Sequence, residues 1–303
     1  MNRDVISRLR ELLKAPEPVV APGAYDAITA RAVEAAGFPA VYMTGAGTAA
    51  ALGYPDYGLI GMTEMAHNVG IIAQAVQIPV IADADTGYGN ELNVIRTVEE
   101  YSRRGAAALH IEDQVFPKRC GHLDNKAVLP VEEFLRKIHA AAGVRGDAGP
   151  LIIARTDSRA VNGLDEAIER VNLALEAGAD LAFVEAPQSV EEVFAIPQKV
   201  EGPCLLNLVR GGKTPPVTVA QAAESGYRLV IVPGLLLAAV VSACEDALGE
   251  LSRTGTHPPI AGDLSIVEMF QRFGAKRWDD LRWRYGEPSG ELRGARNQQQ
   301  SFR

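Results

Sequence analysis

Four times along the chain a helical pattern ends at a glycine and passes straight into an apolar run: EAAG before FPAVY, RRG before AAALHI, EAG before ADLAFV and ESG before YRLVIV, around Gly37, Gly105, Gly178 and Gly226. Glycine suits that place because a helix commonly terminates in the left-handed region, where a side chain is strained. Each repeat therefore reads as helix, cap, strand. With the intervening runs, eight candidate strands follow, at 19–21, 40–44, 79–83, 108–112, 151–155, 181–185, 204–207 and 229–232. Strands that alternate with helices must pair in parallel, and eight such units in roughly 230 residues match a closed (β/α)8 barrel of the TIM type. An open doubly wound sheet is the competing architecture. No G-x-G-x-x-G follows the first strand, and polar residues sit at the ends of most strands rather than at one switch point, which favours the barrel.

The chain is expected to be one domain over 1–303, with 252–289 a C-terminal helical appendix and 290–303 a polar tail. Thirty basic against thirty-eight acidic residues give a net charge of −8, so no cationic field is available to hold nucleic acid. The longest apolar stretch, 229–244, is broken by Pro233-Gly234 and is too short for the roughly 20 residues of a membrane helix. Three widely spaced cysteines argue against a disulfide framework and a zinc cluster, and fit a reducing cytoplasm. Cys204 and Cys244 lie in apolar surroundings and are expected in the core.

The chemistry gathers at the strand ends. In Ile81-Ala82-Asp83-Ala84-Asp85, strand alternation predicts both carboxylates on one side. Paired anions there call for a cation between them or a proton on one. Oxygen donors without a Cys or His pair point to Mg2+ rather than zinc, and Glu112 ends the next strand in position to join them. The following loop, QVFPKRCGH, sets Cys120 among Lys118, Arg119 and His122, cations expected to stabilise its thiolate and lower its pKa. Further strand ends supply Arg155, a fork suited to a carboxylate, with Glu185 and Asn207 as acceptor and donor for substrate oxygens. Thr44-Gly45-Ala46-Gly47 offers backbone amides to an anion.

These segments resemble the isocitrate lyase/phosphoenolpyruvate mutase superfamily through PGAYDA at 22–27, DADTGYG at 83–89, HIEDQVFPKRCGH at 110–122 and ARTD at 154–157, over roughly residues 10–250. The resemblance implies a barrel whose C-terminal helical segment is exchanged between subunits, in a homotetramer built as a dimer of dimers. It implies Mg2+, with Mn2+ as a substitute, on Asp83, Asp85 and Glu112. A small carboxylate would be bound by Thr44, Gly45, Ala46, Asp56, Gly121, Arg155, Glu185, Asn207 and Pro233. KRCGH resembles the gate loop of the carbon–carbon lyase branch, in which the cysteine protonates the departing carbanion. Cys120, Lys118, His122, Arg155 and Tyr42, the last as base for a substrate hydroxyl, form the implied catalytic set, with Gly121 as a flexible point of the loop.

The implied reaction is cleavage of a 2-hydroxy-2-alkyl dicarboxylate, similar to 2,3-dimethylmalate or 2-methylisocitrate, to pyruvate and a second carboxylate. Residues 207–215, NLVRGGKTP, depart from the N-x-T-E-F-G of 2-methylisocitrate lyases and are more like dimethylmalate lyases, oxaloacetate hydrolases and carboxyphosphonoenolpyruvate mutase. Mutase or oxaloacetate hydrolase chemistry is therefore the alternative activity, and a non-catalytic metabolite-binding barrel the alternative of another class.

Overall fold

The computed structural model describes residues 2–259 and 264–286; the 290–303 tail and part of the 252–289 appendix lie outside them. Eight parallel strands close into a barrel in chain order: β1 (Val19–Ala24), β2 (Val41–Met43), β3 (Val80–Asp83), β4 (Ala108–Glu112), β5 (Leu151–Thr156), β6 (Leu181–Val184), β7 (Cys204–Asn207) and β8 (Leu229–Val232). β8 pairs with β1, so the sheet has no edge. The four glycines of the repeat hold φ of +84°, +106°, +108° and +105°, the left-handed turn that stops each helix and launches the next strand.

Around the barrel run α1 (Asn2–Leu12), α2 (Ala27–Ala35), α3 (Gly45–Ala51), α4 (Met62–Ala75), α5 (Glu91–Arg104), α6 (Val131–Arg145), α7 (Leu164–Glu176), α8 (Val190–Lys199) and α9 (Val219–Ser225); α10 (Leu235–Thr254), α11 (Ile266–Arg272) and α12 (Ala275–Gly286) follow. Strand alternation divides the apolar residues into two layers. Inward positions such as Ala21, Ile81, Ile153, Phe183, Leu205 and Ile231 fill the barrel, whose lower end is closed by Ile6 and Leu9 of α1. Outward positions such as Met43, Ala82, Leu109, Ile111 and Ile152 pack with Met65, Val98, Phe134 and Ile138 of the helices.

Residues up to Ser242 form one compact unit and those from Ala243 a second, a division that falls inside α10. None of α10, α11 or α12 has a buried residue. Cys204 is buried as expected, but Cys244 is exposed: apolar periodicity on α10 shows that a face needs cover, not that this chain supplies it. No described helix is long and apolar enough to cross a membrane.

Candidate active site

The alternation that packs the barrel also builds its mouth. Continuing the inward parity past the last apolar layer gives Tyr42 on β2, Asp83 on β3, His110 and Glu112 on β4, Arg155 on β5 and Asn207 on β7, with Glu185 and Pro233 one residue beyond β6 and β8. Asp83 stands in register with His110, and Glu112 with Arg155. These side chains sit at the C-terminal ends of the strands, the face on which barrels of this kind carry chemistry. Tyr42, Asp83, Arg155, Glu185, Asn207 and Pro233 line a cleft of about 560 Å³ together with Thr44, Ala46, Asp56, Cys120, Gly121 and His122.

Asp83 and Asp85 reach this mouth by different routes. β3 ends at Asp83, and Asp85 lies beyond it with φ +46°, so a left-handed turn and not strand alternation aims its carboxylate. The turn is held by the Asp85 amide, which donates to Asp83 Oδ1 at 2.9 Å. Asp83 Oδ2 accepts from the Gly45 amide at 3.2 Å. The Thr44–Gly47 segment is therefore the start of α3 with Thr44 as N-cap, and one of its amides is spent on Asp83. Burial opposes ionisation of Asp83, but His110, Lys118 and Arg155 outweigh it and hold the group at about 2. Burial raises Asp85 to about 6 despite Lys118, whose Nζ lies 2.7 Å from Asp85 Oδ1. Burial likewise holds the Glu112 carboxyl well above its usual range, against the pull of Arg155 at 3.1 Å.

Among the described residues no three acids, cysteines or histidines close to within the reach of one ion. Asp85 pairs with Lys118 and Glu112 with Arg155. The donor set nevertheless fits a hard cation. Glu112 Oε1 is buried without a hydrogen bond, and Asp85 Oδ1 and Glu112 Oε2 have charge contacts but no aligned donor. Mg2+ keeps several waters and takes one or two carboxylates, which such a loose, oxygen-rich set can offer.

The Cys120 loop, residues 114–128, rises from a neck closed by an antiparallel bridge between Gln114 and Val128. Its basic residues are engaged: Lys118 bonds Asp56 and pairs with Asp85, Arg119 stands over the Tyr57 ring, and the His122 Nε2 atom is 3.0 Å from Glu185 Oε1. The expectation of a lowered thiol pKa is overturned. Burial pushes the Cys120 thiol up, and Asp56 and Glu185 add to that against Arg155. A neutral thiol keeps its proton, which suits a donor rather than a nucleophile. At Gly121 a side chain would lie 2.5 Å from Arg155 Nη2 and from Glu185 Oε1. Glycine lets the loop backbone lie directly on those two groups, and the loop is closed over the cleft.

Arg155 forks across Glu112 and Asp157, with Nε donating to Asp157 Oδ2 at 3.0 Å. Glu185 accepts from Asn207 Nδ2 at 3.2 Å, and its carboxyl is lowered: Arg155 and His122 overcome the burial that opposes its charge. The Tyr42 hydroxyl lies 2.8 Å from His110 Nε2. Burial and neighbouring Asp83 raise the Tyr42 phenol well above its usual value, and burial lowers His110 to about 4, so both are neutral.

Sequence reasoning gave no role to His110, Asp157 or Lys126. His110 carried a signal, since it shares the inward parity of Glu112. Lys126 carried none: it sits in the loop, and its ammonium is buried against Asp157 at 2.6 Å while also bonding the Gly121 carbonyl. Asp113, adjacent to Glu112, points away from the mouth and accepts from Thr156, the Asp157 amide and Arg170.

Residues 9–252 match the family model described as phosphoenolpyruvate phosphomutase. The chain is 43% identical over 268 residues to 2,3-dimethylmalate lyase of Eubacterium barkeri, covering 88% of this chain and 92% of that protein. It is 47% identical over 267 residues to 2-methylisocitrate lyase of Aeropyrum pernix, covering 88% and 86%. Among solved structures, oxaloacetate acetylhydrolase in complex with 3,3-difluorooxalacetate superposes with a TM-score of 0.90 at 36% identity, covering 95% of this chain and 99% of that one. Phosphonopyruvate hydrolase with oxalate and Mg2+ gives 0.84 at 30% identity, covering 93% and 99%. Matched over most of its length in sequence and in barrel geometry, the chain belongs to the phosphoenolpyruvate mutase/isocitrate lyase superfamily.

Proposed function

We propose that this protein is a Mg2+-dependent carbon–carbon lyase that cleaves a 2-hydroxy-2-alkyl carboxylate, the dicarboxylate 2,3-dimethylmalate before the tricarboxylate 2-methylisocitrate, to pyruvate and a second carboxylate. The observation that carries the reading is Cys120, its thiol pushed up by burial, on a loop that lies over a cleft ringed with acids. Asp83, Asp85 and Glu112 would hold the ion, directly or through its waters. When bound, Mg2+ supplies charge stabilisation to the C2 oxygen and the neighbouring carboxylate.

The residues of the chain do the rest. Arg155 orients a carboxylate with the part of its guanidinium that Glu112 and Asp157 leave open. Tyr42 accepts the proton of the C2 hydroxyl as it passes its own to His110 Nε2. As the C2–C3 bond breaks, its electron pair goes to C3, where the Cys120 thiol delivers its proton. The closed loop excludes the water that would otherwise compete for this step.

Substrate size follows from the lining. Ala46, Val209, Pro233 and Leu237 offer an apolar wall to alkyl groups, while Arg155 is the one fixed cation among the cleft-lining residues. A third carboxylate would lack a partner, which favours a dicarboxylate. A screen for pyruvate release with Mg2+ tests the reading: the highest kcat/KM is expected with 2,3-dimethylmalate, and no pyruvate from any alkylmalate or from 2-methylisocitrate contradicts it. Release of oxalate and acetate from oxaloacetate would instead favour the hydrolase reading, to which the likeness to oxaloacetate acetylhydrolase and the GGKTP loop lend support.

The exposed apolar residues of α10 to α12 support a helix-exchanging homotetramer. Phe270 is 59% and Trp283 84% exposed in the single chain. Light scattering of the purified protein should give four chains. Three unpaired cysteines are consistent with residence in the cytoplasm.

A further inference from the structure

Beyond Val209, the loop between β7 and α9 has no part in the mechanism above, although its GGKTP sequence departs from the pattern of 2-methylisocitrate lyases. Its Gly212-Lys213 turn meets the tip of the Cys120 loop. The Lys213 amide donates to His122 Nδ1 at 3.0 Å, and the Lys213 ammonium pairs with Asp124. Gly212 lies under the imidazole: a side-chain carbon there would be 2.6 Å from Nδ1 and 2.9 Å from Cε1. Its neighbour Gly211 holds φ +75°, whereas Gly212 lies outside the left-handed region. What demands glycine at 212 is therefore the ring.

We propose that the Gly212–Lys213 turn is the latch of the Cys120 loop: its backbone receives the His122 ring and fixes its tautomer, and through that ring it positions the loop shut over the cleft. The chemistry is directional. Nδ1 accepts the amide hydrogen, so a neutral imidazole carries its own hydrogen on Nε2. That atom lies in close contact with Glu185 Oε1 at 3.0 Å, without an aligned hydrogen bond, and Glu185 is tied to Asn207 at the end of β7. One ring thus joins the gate to both the latch and the floor of the cleft. Gly212 and Lys213 act through His122, so they are positioning residues and not catalytic ones. The proposal rests on reading the Cys120 loop as the cover of the active site.

The test reads loop closure without turnover, so its failure is distinguishable from failure of the lyase reading. Cys120 alkylation by iodoacetamide is followed by peptide mass spectrometry, scaled to the rate in urea-unfolded protein. Gly212→Ala should raise the Cys120 rate roughly 2- to 10-fold, the effect of losing one hydrogen bond from the closed state. His122→Ala should do the same, and Gly212→Ala added to His122→Ala should change nothing further. An unchanged rate in Gly212→Ala overturns the latch, and so does an equal rise in both backgrounds, because the turn would then act independently of the ring.

Should Gly212→Ala not fold, amide hydrogen exchange decides. The Lys213 amide should lose protection in His122→Ala and regain it in His122→Asn, whose side-chain oxygen can accept the same hydrogen. Protection that is indifferent to residue 122 overturns the proposal.

Discussion

Cys120→Ala isolates the step that distinguishes a lyase from a binding barrel. The thiol is half-buried, lines the cleft and is raised by burial, so it is protonated at neutral pH and stands ready to donate. Removing it takes one partly exposed sulfur from a loop and nothing from the core, so stability should change by less than about 1 kcal/mol. The chemical step loses its acid. General acid assistance contributes roughly 10²–10⁴-fold, equivalent to about 3–5 kcal/mol of barrel-mouth stabilisation of the transition state. Because that interaction exists only as C3 gains charge, the loss should fall on kcat with KM little changed. The assay couples pyruvate to NADH oxidation, with thermal melting alongside.

A pH profile adds a signature. The donor works only when protonated, so wild-type kcat should fall as pH rises through the thiol pKa. Since burial raises that pKa, the fall lies above the ordinary thiol range, and the limb should be absent in Cys120→Ala. Activity within threefold of wild type, or a loss matched by a collapse in melting temperature, would refute the reasoning.

Three further outcomes follow from contacts in the barrel. Gly45→Ala places a carbon 2.5 Å from Asp83 Oδ2 and should push that carboxylate aside; divalent-ion affinity should fall roughly 10- to 100-fold by calorimetry while the fold survives. Tyr42→Phe leaves the packing but strips His110 Nε2 of its partner, costing about 1–3 kcal/mol in urea unfolding as well as lowering kcat. Arg170→Leu leaves Asp113 buried without its guanidinium and the Leu129 carbonyl without a donor; unfolding free energy should drop by about 3–5 kcal/mol, with the active site affected only through stability.

The barrel was legible because its signals are local and repeated: a glycine that stops a helix and an apolar run of strand length recur until eight strands close. The mouth was legible where strand alternation applies, which brings Asp83, Glu112, Arg155 and Asn207 to one face. It failed two residues past the end of β3. Asp85 arrives by a left-handed turn whose aim no periodicity encodes. The Cys120 thiol failed for a different reason: neighbouring cations in sequence say nothing of where their charges go, and here Lys118 is consumed by Asp56 and Asp85. Burial then decides the sign. Lys126 and Asp157 pair across 31 residues, a contact fixed by the fold rather than by any motif. Cys244 shows the limit of hydrophobic patterning, which marks a face for burial without naming what covers it.

The claim beneath the mechanism is that the acids of the mouth hold one divalent ion. Counting bound Mn2+ per chain by electron paramagnetic resonance, in wild type and Asp85→Ala, asks this without a substrate. One tightly held ion in wild type and none at the same concentration in Asp85→Ala is the expected result. Equal occupancy in the two proteins, or no bound ion in either, would contradict it.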